Sequence, residues 1–599
     1  MVAYERATPK LPVLFLNLTF LQAVYPKPKS NLRLPSGEIM KTSFRISPFW
    51  RLTCVALLSH VLLVTTAFGQ AVAPQATSTL SAAERKITAS VNVETLREVT
   101  TALADKSMEG RGTGQPGGDR AAKYIADKFA KLGLKPLGDA GTYLQAVKFR
   151  STQLQPQTSL KVGDVSFKLG DDFVPGPPYT SDKSSANSSV IFVGYGVSSD
   201  KLKRDDLAGL DVKDKIVMVV SGRPKDVDET AWQQEAGQQS IASNLIRRGV
   251  AGMIIANAGS KRASFTLIAD YLTRRDVALA DAPQLPFKLP PIVLISDGAA
   301  EKVFAGSGIT YSETLAKAET GVFVSRDLQK QTAIDLIIKR DEVTGSNVVG
   351  VLEGSDAKLK DQAVVYTAHY DAFGIDGKGR IFPGAADNGL GVGELISIAE
   401  GFAKSKPKPR RSIIFLAVTG EEYGLLGAEH WVKNPTWPID KVVADLNFDG
   451  IGTEVYAPVK RIVGFGAEYS DLGKVMEEVL TATGMILTAD PLPEEGVFYR
   501  SDHFAFVQGG VPSLMLLGGP EGEPSKWIAR AQTWMATDYH QPGDIVRPDW
   551  VWDGARTVAV IGVVLGMRVA NAEAMPQWLP SSPFKRAPAA VQSSPSEKN

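Results

Sequence analysis

Cysteine is almost absent from this chain: Cys54 is the single copy in 599 residues. That excludes an internal disulfide framework and strikes thiolate from any set of metal ligands. Histidine is nearly as scarce, at His60, His369, His430, His503 and His540, with none between residues 61 and 368. Net charge is missing too. Lysine and arginine total 66 against 65 acidic residues, a formal balance of +1. Nothing in that balance calls for nucleic acid or a charged membrane surface as a partner. The 44% hydrophobic content is that of an ordinary globular protein, and the length allows two or more domains.

Residues 1–39 carry no usable charge pattern or periodicity. Lys41, Arg45 and Arg51 then form a basic segment, followed by a mainly apolar run from Leu52 to Gly69 that His60 interrupts. Ala67 and Gly69 supply the small residues before Gln70. These three parts read as a secretory signal peptide over about 40–69. Localisation would then be secreted or periplasmic, with no membrane contact once the signal is cleaved; uncleaved, the same segment would be a short anchor. Cys54 lies inside the segment, and most of the apolar core follows it, which argues against a lipid anchor there. Residues 70–84 read as a small, polar linker.

Ala83 to Ala104 is helical in pattern, and Glu109 to Gly118 is a glycine-rich loop. That loop follows a helix and lacks the Gly-Lys-Ser/Thr ending, so it is a crossing loop rather than a phosphate cradle. Ala121 to Leu132 is an amphipathic helix closed by Gly133. From 155 to 325 short β-type runs dominate (Ser189–Val197, Lys215–Val220, Gly252–Ala256, Pro291–Ser296), with one helix from Trp232 to Arg248. Asn347 to Gly354 is expected as an edge strand, Ser470–Thr483 and Trp552–Val569 as helices, and Val511–Leu517 as a strand. Residues 571–599 have little apolar pattern and are expected to form a mobile tail.

Between residues 364 and 450, four pieces place a metal-capable side chain at or just beyond an apolar run. They are Ala-His369-Tyr-Asp371, Gly-Ala-Ala-Asp387-Asn, Thr-Gly-Glu421-Glu422 and Asn-Phe-Asp449-Gly. The runs 363–368, 412–418 and 441–448 read as buried strands, and Gly389–Lys404 as a helix between the first two. The fold class is therefore α/β: a mainly parallel sheet flanked by helices, whose ligands sit at the carboxyl ends of the strands. His540, in Asp-Tyr-His540-Gln-Pro-Gly-Asp544, is a fifth candidate ligand. Any one of these acids alone reads as a turn former or helix cap. Two histidines and three carboxylates, with Glu421 to spare, exceed the needs of one ion and suit two ions that share a carboxylate. His430, beside Trp431, reads as a packing residue.

In this order, His-Tyr-Asp, Ala-Asp-Asn, Gly-Glu-Glu-x-Gly-Leu-Leu-Gly and Asn-x-Asp resemble the two-zinc exopeptidases of metallopeptidase family 28. The resemblance covers roughly residues 85–570. It implies two Zn2+ per chain, with Asp387 bridging them, His369 and Asp449 completing one site, and Glu422 and His540 the other. It further implies Glu421 as general base, Asp371 as the partner that holds the His369 ring, and Tyr539 as a group assisting the developing oxyanion. Asp502 and His503, in Tyr499-Arg-Ser-Asp502-His503-Phe, match a piece that faces substrate or lies behind the ligands. The peptidase domain would be discontinuous, 85–154 plus 326–570. The 155–325 segment resembles an inserted protease-associated domain, through Asp206-Leu-Ala-Gly-Leu-Asp-Val-Lys-Asp-Lys-Ile-Val217.

The implied activity is hydrolysis of N-terminal residues from peptide substrates. A carboxypeptidase would need a basic cluster for the substrate carboxylate, and near the motifs only Arg500 offers one. Three other readings are weaker: a one-zinc glutaminyl cyclase does not need the full ligand set, a non-catalytic binding protein on this scaffold would have lost ligands, and a two-metal phosphatase would cleave phosphate esters instead. The signal-peptide reading predicts that exported protein begins near Gln70, as N-terminal sequencing would show. A mature chain that still carries residues 52–69 would instead be anchored.

Overall fold

A computed structural model describes residues 79–586, except 260–263, 323, 451 and 520–523. The signal segment at 40–69 and most of the linker lie outside the described residues. The linker expectation ends early, because Ser81 caps a helix over Ala82–Thr88 and exchanges hydrogen bonds with Glu84. The helix expected over 83–104 is two helices, broken before Asn92, which caps the second over Val93–Leu103. The amphipathic helix begins at Pro116 and runs to Lys131.

The strands ending at His369, Val418 and Phe448 span Ala363–His369, Ser412–Val418 and Val442–Phe448. The His369 strand lies in the middle and pairs in parallel with the other two. Ser513–Gly518 adds a further parallel strand beside Val442–Phe448. Every residue of the first three strands is buried, so both faces of the sheet are covered. The helix Gly391–Ala403 packs on one face with Tyr366, Phe415 and Phe448, and Leu426–Lys433 packs on the other with Val365, Ile414 and Leu416. The chain thus leaves the His369 strand towards one face and the Val418 strand towards the other. That reversal opens a crevice at the carboxyl ends of these strands.

The expected edge strand is not an edge. Arg326–Leu352 forms one 27-residue strand: residues 338–348 pair with Leu144–Leu154, and its last residues lie between Ser412–Val418 and Lys135–Pro136. Its first half pairs with Lys183–Phe192 in a second sheet. That second sheet includes Ile216–Val220, Gly252–Ala256 and Ile292–Ile295 in parallel, over an apolar core of its own. The helix expected over 232–248 is split at Gly237 into Glu229–Ala236 and Gln238–Arg247. The 155–325 segment is not wholly separate: Asp276–Leu279 leaves its neighbours and pairs with Leu144–Leu154 of the first sheet.

The tail expectation is corrected for residues 571–586. Trp578 donates its indole N–H to the Gly510 carbonyl at 3.1 Å, Phe584 packs edge-on to Tyr469, and Arg586 donates to the carbonyls of Val442 and Val443. These side chains are too far apart in sequence to show a period, yet Trp578 and Phe584 pack on each other, ring centres 5.5 Å apart, against one apolar cluster.

The closing helix, Asp553–Asn571, lies close to the sheet through two glycines. Tyr366 stacks between Phe415 and Phe448, with ring centres 5.5 and 6.1 Å away, and donates its hydroxyl to the Gly562 carbonyl at 2.9 Å. A Cβ at Gly562 would meet Phe448 at 2.4 Å, and one at Gly566 would meet the Tyr366 hydroxyl at 1.7 Å. Glycine to alanine in a helix interior normally stabilises by about 1 kcal/mol. Here overpacking costs about 1–3 kcal/mol and reverses the sign. Gly562→Ala and Gly566→Ala should each lower the unfolding midpoint, as measured in denaturant; a rise would refute this packing.

Candidate metal centre

All four motifs converge on the crevice. His369 ends its strand with a fully buried ring. Its Nε2 lies 3.2 Å from Asp387 Oδ1, 3.3 Å from Asp449 Oδ1 and 3.8 Å from Glu421 Oε2. The other oxygen of Asp387 faces His540 Nε2 at 3.4 Å, and Glu422 Oε2 approaches the same nitrogen at 3.0 Å. Asp387 therefore stands between the two imidazoles, with one carboxylate oxygen turned to each. Ligand atoms of His369, Glu421 and Asp449 lie within 4.8 Å of one another, as do those of His369, Asp387 and Glu422. Distance alone leaves Glu421 among the possible ligands; its place beside Asp449 is what sets it apart from Glu422, which faces His540.

Electrostatics show what this group of side chains demands. Burial pushes the Glu421 carboxyl well above the usual range, and neighbouring Asp449 and Asp502 push it further. Burial, with Asp387 adding to it, raises Glu422 to about 7. Burial disfavours charge on both imidazoles, but the carboxylates outweigh it: Glu422 and Asp387 lift His540 to about 9, and Glu421 and Asp449 lift His369. Burial likewise opposes charge on Asp387, yet the two imidazoles hold its carboxyl well below the usual range. The site thus draws positive charge onto every group able to carry it. Imidazole nitrogens and carboxylate oxygens without thiolate are a donor set that zinc accepts, so the residues present fit the metal.

The supports were only partly visible in the sequence. The Asp371 carboxylate accepts from the Glu421 backbone N–H at 3.2 Å and the Thr113 hydroxyl at 2.9 Å. The His369 Nδ1 lies nearer the Asp371 backbone carbonyl, at 3.3 Å, than its carboxylate, at 3.7 Å. Gly420, in a left-handed conformation with φ 77°, turns the chain into the Glu421–Glu422 pair. Asp544 accepts from the backbone N–H groups of Ala386 and Asp387 at 2.9 and 3.0 Å, and so fixes the Asp387 turn. Arg111, fully buried, donates to the carbonyls of Tyr370, Leu103, Pro383 and Gly384. It ties the turn after His369 to the loop before Asp387. Asn388 donates to the Phe448 carbonyl at 2.8 Å, joining the Asp387 turn to the Asp449 strand.

Arg111, Thr113 and Asp544 were missed as functional residues. The signal available was slight: an arginine among glycines in the 109–118 loop, and an acid four residues beyond His540. Tyr539 stacks on His540, and its hydroxyl accepts from Arg500 at 3.1 Å. Asp502 is fully buried with neither carboxylate oxygen hydrogen-bonded among the described residues, and burial raises its pKa. His503 is buried against Phe498, and burial lowers it to about 3, so it is neutral. His430 is half-buried beside the site's outer helix and faces no ligand.

Residues 347–561 match the model of Peptidase family M28. A probable leucine aminopeptidase 2 of Aspergillus oryzae is 24% identical over 406 residues, 65% of this chain and 69% of that protein. Aminopeptidase YwaD of Bacillus subtilis is 28% identical over 212 residues, 34% of this chain and 40% of its own length. A probable glutamate carboxypeptidase of Arthroderma benhamiae is 28% identical over 215 residues, 33% of this chain and 28% of its own length. The fold is that of an aminopeptidase from Aneurinibacillus sp. strain AM-1, with a TM-score of 0.52 at 18% identity, covering 85% of this chain and 98% of that one.

If Asp544 positions the bridging carboxylate, Asp544→Ala should weaken metal binding about 10- to 100-fold, the usual worth of a group that orients a ligand. Competition with a chelator, followed by elemental analysis, would measure this. Unchanged retention would mean that the Asp387 turn holds itself.

Proposed function

We propose, from the premise that this chain carries a Peptidase family M28 domain, that it is a zinc-dependent exopeptidase that removes N-terminal residues from peptides. The observation that carries this reading is the Asp387 carboxylate, which turns one oxygen to His369 and the other to His540. We assign His369 and Asp449 to one zinc, Glu422 and His540 to the other, and Asp387 to both. Bound there, zinc supplies Lewis acidity to the scissile carbonyl and lowers the pKa of the attacking water.

The chain's own residues do the rest. Glu421 takes the proton of the attacking water and returns it to the leaving amine. Its carboxyl is held at the edge of the group by the Asp371 contact to its backbone N–H. Burial keeps the Tyr539 phenol protonated, and because its oxygen already accepts from Arg500, its own proton is free for an oxyanion. Asp502, close behind Asp449, and His503 act at second rank, on the substrate side or in support of the ligands. The 155–325 segment is a protease-associated insertion that borders the cleft.

The relatives above include a probable leucine aminopeptidase and a probable glutamate carboxypeptidase, so a carboxypeptidase is the competing reading. Acetylating the N-terminus of a good peptide substrate should abolish cleavage, and undiminished cleavage would reverse the assignment. We further propose export by a signal peptide at about 40–69; among the described residues no helix is long and apolar enough to cross a membrane.

The adjacent glutamates give the sharpest test. Glu422→Ala should lose metal together with activity. Glu421→Gln, which keeps size and removes basicity, should keep metal and substrate affinity while kcat falls about 10²- to 10⁴-fold, the worth of general acid–base catalysis. That is roughly 3–5 kcal/mol of transition-state stabilisation. Loss of zinc in Glu421→Gln but not in Glu422→Ala would exchange the two roles, and unchanged kcat in both would refute the mechanism.

A further inference from the structure

Beside the metal centre lies a cleft that neither the motifs nor the mechanism uses. One wall comes from the metal-site region: Phe373, whose ring meets His540 edge-on at 4.8 Å, and Tyr423, which follows Glu422 directly. The opposite wall comes from the inserted segment, through Tyr271, Arg274, Arg275 and Asp276. Tyr271 and Phe373 are in edge contact across it at 5.9 Å. No basic cluster stood near the motifs in sequence, yet the fold delivers two adjacent arginines from about 100 positions upstream of His369.

The polar groups of this cleft are out of balance. Arg274 has a side chain only 6% exposed. Its Nη2 bonds Asp270 at 2.8 Å, but its Nε and Nη1 meet no acceptor among the described residues. Its guanidinium lies over Phe382 and Phe373, at 4.2 and 4.9 Å from the ring centres. Those ring faces balance charge but offer no directional acceptor. Arg275 donates to the Thr113 carbonyl, and its Nε is also buried without an acceptor. Three donors are therefore unmatched, while no cleft carboxylate oxygen is among the buried unpartnered atoms. Buried donors left unmatched each cost about 1–3 kcal/mol, so an acceptor brought by a ligand is strongly favoured. Asp276 also lines the cleft; burial pushes it up to about 6, and it accepts from none of the three donors. Asp270 is already shared between Arg274 and Arg380.

We propose that Arg274 and Arg275 are specificity-determining residues that receive a carboxylate of the peptide substrate in this cleft. The inference rests on the exopeptidase reading of the adjacent site and deepens it. The carboxylate has two possible sources: the side chain of an acidic N-terminal residue, or the free C-terminus of a very short peptide. Guanidinium groups pair with carboxylates through parallel N–H donors, which the neutral isostere cannot match. Arg275 also reaches the metal-site support directly, because the Thr113 hydroxyl bonds Asp371.

The test uses the full chain loaded with zinc. Glutamyl and glutaminyl p-nitroanilides compare the side-chain source, and Leu-Leu against Leu-Leu amide compares the terminal source. One charged substrate should exceed its neutral partner at least tenfold in kcat/KM, and that ratio should fall at least tenfold in Arg275→Gln. Arg274→Lys, which keeps the charge and the Asp270 pair but loses the fork, should lower it as well. The pair that shows the ratio identifies the source. Ratios below threefold for both pairs, or a ratio that survives both variants, would overturn the proposal. A second readout is independent of turnover: thermal stabilisation by the charged over the neutral member of the pair N-acetylglutamate and N-acetylglutamine, or of the pair N-acetylleucine and N-acetylleucinamide, in wild type and Arg275→Gln. If no aminoacyl substrate is cleaved but this stabilisation depends on Arg275, the exopeptidase reading fails and the carboxylate site stands. If the stabilisation is absent or independent of Arg275, the carboxylate site fails.

Discussion

Mutual repulsion among buried carboxylates is the constraint on which this structure turns. Asp387, Glu421, Glu422 and Asp449 meet at the ends of adjacent strands, with ligand atoms of Glu421 and Asp449, and of Asp387 and Glu422, within 4.8 Å of each other. At an effective dielectric of about 20, two like charges at that separation repel by roughly 3–4 kcal/mol. A single hydrogen bond returns about 1 kcal/mol net, so backbone contacts alone do not hold the group together. Cations must do so. The structure shows the demand in its histidines, both driven towards the protonated form by the acids around them. Zinc bound there would meet the same demand and leave the imidazoles neutral.

Positioning is distributed over long-range contacts. Arg111 gathers four backbone carbonyls from three parts of the chain, including both turns that carry ligands. Asp544 fixes the Asp387 backbone from the segment that also bears His540. Asn388 links the same turn to the strand that leads to Asp449. The turns that carry His369 and Asp387 are thus held by groups from other parts of the chain. The topology makes this economical, because the two crossovers leave the His369 strand in the centre and bring all these loops to one crevice.

The strands that carry His369, Glu421 and Asp449 were legible because parallel strands buried on both faces leave continuous apolar runs. His369, Glu421 and Asp449 were legible as candidates because each stands at or just beyond the end of such a run. What the sequence hid depends on distance along the chain. Arg111 and Tyr370 are 259 residues apart, and Thr113 and Asp371 are 258 apart. The edge placed at Asn347–Gly354 was wrong because a strand's neighbours are set by pairing that local pattern does not encode; Lys135–Pro136 and the start of Leu144–Leu154 supply the missing partners. The same limit hid Arg274 and Arg275, which join the centre only because Asp276–Leu279 returns to the first sheet. Residues 571–586 looked featureless because isolated aromatics separated by proline carry no period, although Trp578 and Phe584 are anchored.

The central claim is that Asp387 stands between two metal ions. Anomalous diffraction from crystals of the zinc-loaded protein, collected on both sides of the zinc edge, tests it most directly. The account predicts two anomalous peaks, one between Asp387, His369 and Asp449, the other between Asp387, Glu422 and His540. A single peak at full occupancy, or peaks that Asp387 does not touch, would contradict it.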